Sequence, residues 1–141
     1  MLGPVDYLEI GFPGNKFNGS ILKELQKVVD KGLVRVIDLL FISKDGRGQI
    51  AIWELQDMPE DVTAAVAKFA ADLTGLLTEE DAIELGKKLD NNCSAALLVF
   101  EHLWAVDFKD AVKKADGILI DEGRIHPEDI EAALEELKAE A

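Results

Sequence analysis

Ser94-Ala95-Ala96-Leu97-Leu98-Val99-Phe100-Glu101-His102-Leu103-Trp104-Ala105 decides the fold. Up to Phe100 the run carries no charge, and both alternating sets of side chains are apolar. That is the pattern of a strand covered on both faces. The run stops at Glu101-His102, and Trp104 follows two residues later. Polar and aromatic groups therefore gather where a covered strand emerges, which makes the segment both an architectural signal and a candidate site.

Working outward, Val5 to Phe12 predicts a first strand, closed by a Pro13-Gly14-Asn15 turn. Ile21, Leu22, Leu25, Val28 and Val29 repeat at helical spacing between Ser20 and Lys31. Ser20 is the expected cap of that helix and Gly32 its left-handed stop. Leu33 to Ser43 predicts a second strand. Val34, Val36, Leu40 and Ile42 share one expected face, and Ile37, Leu39 and Phe41 the other. Lys44 to Gly48 reads as a hairpin turn with two glycines at positive φ, and Gln49 to Gln56 as the return strand.

Pro59, Glu60 and Asp61 open a helix whose apolar stripe runs from Val62 to Leu73 and ends at Gly75. Thr78 and Asp81 predict a capping box for a second helix reaching Leu89. Beyond the fourth strand, Asp107 to Lys114 reads as a short helix and Ile118-Leu119-Ile120 as a final strand. Pro127 begins a terminal helix with Ile130, Ala133, Leu134 and Leu137 inward.

This order predicts one α+β domain over residues 1–141. It has a ferredoxin-like βαββαβ core at about 4–104 and a C-terminal helix-strand-helix extension at about 105–141. Helices cover one face of that core and leave the other open. Strands apolar on both sides make an open face costly, at ~25 cal/mol per Å2 over several hundred Å2. Either the extension or a second copy of the chain is expected to cover it, and self-association is the favoured answer.

The net charge of −13 repels phosphate backbones and anionic membrane surfaces, so neither nucleic acid nor membrane is an expected partner. The single cysteine, Cys93, excludes an internal disulfide, and no adjacent cation would activate it. The amino terminus lacks the basic and apolar regions of a signal peptide, and no run approaches the ~20 apolar residues of a membrane helix. The expected location is cytoplasmic.

Three sets of residues carry possible chemistry. Glu101 and His102 are an acid and a base, but neighbours on a strand point to opposite faces. Glu9, Asp38, Glu54 and Glu101 lie in or at the ends of strands, and carboxylates there need partners if buried. Arg35 and Lys44 could supply them, or a hard cation could. No zinc-ligand spacing exists, so neither metal nor cofactor is expected. Gly11 to Gly19 is a glycine-rich loop between strand and helix, with Lys16 its only cation. It lacks both the Walker and the G-x-G-x-x-G pattern.

Gly3-Pro4-Val5-Asp6-Tyr7, Phe12-Pro13-Gly14, Gly32 to Leu39, Lys44-Asp45, Glu54-Leu55 and Glu101 to Ala105 together resemble an uncharacterised bacterial family. It comprises short soluble proteins catalogued as a domain of unknown function. The resemblance implies kinship with predicted membrane proteins that insert a glycine-zipper hairpin into a similar domain. That hairpin is absent here, and Ala115-Asp116-Gly117 keeps one of the paired glycines usual in the family. The resemblance supports the architecture and implies no activity.

The sequence therefore predicts a non-catalytic, self-associating assembly or binding module. Phe41, Trp53, Phe100 and Trp104 are its expected interface anchors. Glu101, His102, Arg35 and Asp38 are the candidate ligand-binding or polar interface residues. Two alternatives stand beside it: a small-ligand or cation-binding regulator, and a small enzyme with its site at the Glu101/His102 strand end.

Overall fold

Four strands form one sheet in the computed structural model, which describes residues 2–15, 19–58 and 60–140. They are β1 (Val5–Phe12), β2 (Val34–Lys44), β3 (Ile50–Trp53) and β4 (Cys93–His102), in the order β1-β4-β2-β3 with every neighbouring pair antiparallel. The predicted covered strand, β4, lies between β1 and β2. The α+β class stands, while this strand order does not confirm the ferredoxin-like arrangement.

The chain divides into two units, residues 1–110 and 111–141. The first contains the sheet and helices α1 (Ser20–Asp30), α2 (Glu60–Ala65), α3 (Ala67–Ala70) and α4 (Glu79–Lys87). On one sheet face, Leu22 of α1 and Phe69 of α3 pack with Val66 on Val36, Phe41 and Ala96. On the other, Ala82 and Leu85 of α4 pack on Ile42, Ala95 and Leu97. The face expected to lie open is thus crossed by a helix of the same unit. Gly86 faces Ile50 in this contact, where any side chain on it would have to displace that of Ile50.

β2 departs from simple alternation. Val36 pairs with Phe100 and Asp38 with Val99, so Ile37 is the extra residue of a β-bulge. The bulge reverses parity. Leu39 and Phe41 join Val36 on the α1 face, and Leu40 and Ile42 take the α4 face. A strict two-residue period had paired Val36 with Leu40 and Ile42.

Other expectations are refined locally. Gly19, not Ser20, caps α1, and Ser20 is its first residue. Gly32 has the expected positive φ of 71°. In the hairpin turn only Gly48 does; Gly46 is not left-handed. The predicted helix after Pro59 is broken at Val66, whose φ of −115° and ψ of 11° interrupt the helical path. The Thr78/Asp81 capping box forms as predicted. β3 ends at Trp53, and Leu55–Asp57 turn as a short 3-10 helix capped by Glu54 and Asp57.

Helix α5 (Val106–Lys114) follows a 3-10 turn at Leu103–Ala105. In the second unit, α6 (Pro127–Glu140) is helical as predicted, but Ile130, Ala133, Leu134 and Leu137, expected inward, are exposed. Ile118-Leu119-Ile120 is not a strand; all three side chains are exposed. Three apolar residues supply propensity, but a strand exists only with a ladder partner.

A polar clasp at the end of strand β4

The antiparallel register brings three chain segments to the carboxyl end of β4. Pro4 accepts the His102 backbone N–H at 2.8 Å, and Leu33 accepts that of Leu103 at 2.9 Å. Glu101 and Arg35 are opposite one another across β4 and β2. The Glu101 carboxylate is 3% exposed, so both oxygens need donors. Oε2 accepts the Gly3 backbone N–H at 2.6 Å, and Oε1 accepts the Arg35 Nε–H at 2.9 Å. The Gly3 amide, then the Arg35 guanidinium, hold the Glu101 carboxyl below the usual carboxylate range against the opposing effect of burial. Gly3 is needed for this closeness, because a Cβ on it would stand 2.6 Å from the His102 carbonyl oxygen.

His102 points to the opposite sheet face, as strand geometry requires. Its Nε2 lies 2.7 Å from Asp6 Oδ2, and Trp104 Nε1 donates to its Nδ1 at 3.1 Å. An indole N–H only donates, so Nδ1 accepts and the Nε2 proton faces Asp6. Phe100 and Trp104 flank the imidazole edge-on, with ring centroids 5.1 and 5.8 Å away. Both nitrogens of His102 and both carboxylate oxygens of Glu101 are therefore engaged, on opposite faces. The arrangement clasps the segment before β1 to β2 and to the end of β4. It does not place an acid and a base around one reacting atom.

Of the four predicted polar residues, the structure brings together Arg35 and Glu101. His102 is on the other face. Asp38 is buried mid-strand, where its two oxygens accept the N–H groups of Leu39 and Leu77 at 2.9 and 2.7 Å. The other strand carboxylates are dispersed: Glu9 meets Lys88 at 2.8 Å, and Glu54 belongs to its capping box. Lys44 donates to the Gly86 and Leu89 carbonyls at the end of α4, a favourable place for a cation. Among the described residues, no three His, Cys, Asp or Glu side chains converge as a metal site. Lys16 of the glycine-rich loop lies outside the described residues.

The aromatic anchors also divide. Phe41 and Phe100 are buried within the first unit, whereas Trp53 and Trp104 are 45% and 61% exposed. Gly3 and Asp6 were missed as partners of the strand end. Their only signal was the pairing of β1 with β4, which depends on the sheet order. A cavity of about 650 Å3 opens where β3 leaves the sheet. Leu40, Trp53, Leu55, Val66 and Leu73 give it apolar walls beside Asp38.

All of residues 1–141 match a family described as a family of unknown function, DUF6325. The chain belongs to this family. Neither a curated protein nor a solved structure matches it. The family description assigns no reaction or ligand to the clasp.

Proposed function

We propose that this protein is a non-catalytic, self-associating binding or assembly module. The observation that carries this reading is a contrast between its polar and its apolar groups. The groups at the strand end are spent on one another, while Tyr7, Trp53 and Trp104 of the first unit are 66%, 45% and 61% exposed. Exposed aromatics of this size are common anchors of protein interfaces. Trp53 and Trp104 can meet a partner directly; Phe41 and Phe100 would support an interface from beneath.

The same reading places the protein in the cytoplasm of a bacterial cell, as a soluble relative of glycine-zipper membrane proteins. Its charge of −13 supports a role without nucleic acid or anionic lipid. No described helix is long and apolar enough to cross a membrane. Sedimentation velocity at micromolar concentration tests the proposal: a concentration-dependent dimer or larger species supports it, and a folded monomer throughout rejects it.

The cavity beneath Trp53 favours a second reading, a binder of small apolar ligands. Its volume of about 650 Å3 falls within the usual range for ligand sites. Quenching or a blue shift of tryptophan fluorescence by a naphthalene-type probe, lost in Trp53→Ala, is the expected result. An unchanged spectrum rejects this second reading.

A further inference from the structure

The outer edge of β1 is a row of backbone groups open to pairing with another strand. Pro4 bonds to His102, and bonding alternates along an antiparallel pair, so Asp6, Leu8 and Ile10 also face β4. The backbone N–H and C=O groups of Val5, Tyr7, Glu9 and Gly11 point away from the sheet. No described residue bonds to these outward groups. Proteins usually guard such an edge with proline, lysine, a bulge or a covering segment. Val5–Phe12 contains neither proline nor lysine, and its pairing with β4 has no bulge. Val5 and Tyr7 add exposed apolar surface along it.

We infer that β1 is the subunit seam, pairing antiparallel with β1 of a second copy to run one sheet through both chains. This inference rests on the self-association reading and assigns it a place on the Tyr7 edge, the sheet edge opposite Trp53, which then takes no part in the seam. A two-fold axis makes the edge complementary to itself, because each outward N–H meets a C=O of the other copy. Charge selects the register. With the axis at Leu8, Val5 faces Gly11 of the second copy and Tyr7 faces Glu9. An axis at Glu9 would oppose two carboxylates, and an axis at Tyr7 would set Gly11 against Gly3, outside the strand. The acids of β1 do not forbid the seam: Glu9 is bridged by Lys88 at 2.8 Å, and Asp6 meets His102 at 2.7 Å.

Tyr7→Pro removes one outward N–H and leaves the β1–β4 hydrogen bonds in place, a substitution an edge strand accepts. The expected result is a folded chain whose dimerisation is weakened at least tenfold. In the wild type, hydrogen exchange at the Tyr7 and Glu9 amides should slow as protein concentration rises. Should Tyr7→Pro fail to fold, the exchange measurement decides alone. A wild-type dimer whose Tyr7 and Glu9 amides exchange equally fast at every concentration would overturn the seam and leave self-association standing. So would a folded Tyr7→Pro chain that dimerises as tightly as the wild type. A wild-type monomer at all concentrations would overturn both.

Discussion

Glu101 shows how a residue can look catalytic and act as a fastener. Its carboxylate is buried, accepts from Gly3 and Arg35, and is held below the ordinary carboxylate pKa. A depressed pKa stabilises the fold fully above the unfolded carboxylate value of about 4.3, and the benefit fades as pH falls through the lower folded value. Glu101→Gln keeps an acceptor for Gly3 but loses the charge facing Arg35. It should cost about 2 kcal/mol near neutral pH, with the gap to wild type closing in acid; urea melts across pH measure both. Gly3→Ala should cost about 1–3 kcal/mol, because the added methyl meets the His102 carbonyl. Thermal melts of that variant unchanged from wild type would contradict the clasp. The sequence offered Arg35 only as one possible partner for four strand carboxylates; that it meets Glu101 follows from the β2–β4 register. Gly3 and Asp6 were not legible as partners, since their proximity arises from sheet order.

Among the elements, the helices and the strands β1, β2 and β4 were readable, whereas Ile118-Leu119-Ile120 is no strand and β3 is shorter than its apolar run. β1 falls on the predicted residues, and the Thr78/Asp81 box starts α4 where expected. Position in three dimensions was less readable. Hydrophobic alternation does not announce a bulge, so the two faces of β2 were assigned one residue out of step after Val36. Nor does it say which face a helix crosses, which is why the apolar α4 face was expected to need cover from the C-terminal extension or a second copy. Asp38 stabilises this altered path by accepting the Leu39 and Leu77 amides. Asp38→Ala leaves both without that acceptor and should cost about 2 kcal/mol in denaturant unfolding. Leu85→Ala empties the contact of α4 with the sheet and should cost about 3 kcal/mol, checked in the same way.

For the whole molecule, the two-sided apolar strands of the sequence are largely satisfied within the first unit. What invites association is then an open sheet edge, β1, not an open sheet face. Association must also overcome a charge of −13 on each copy. Screening shortens the reach of that repulsion from ~30 Å at 0.01 M salt to ~3 Å at 1 M, so dimerisation should tighten as salt rises. Affinity that weakens steadily with salt would instead indicate a seam held by ion pairs. The most direct measurement is sedimentation equilibrium of the full chain over a micromolar dilution series, at moderate salt. A β1 seam gives a reversible monomer–dimer equilibrium; a folded monomer at every concentration would contradict it.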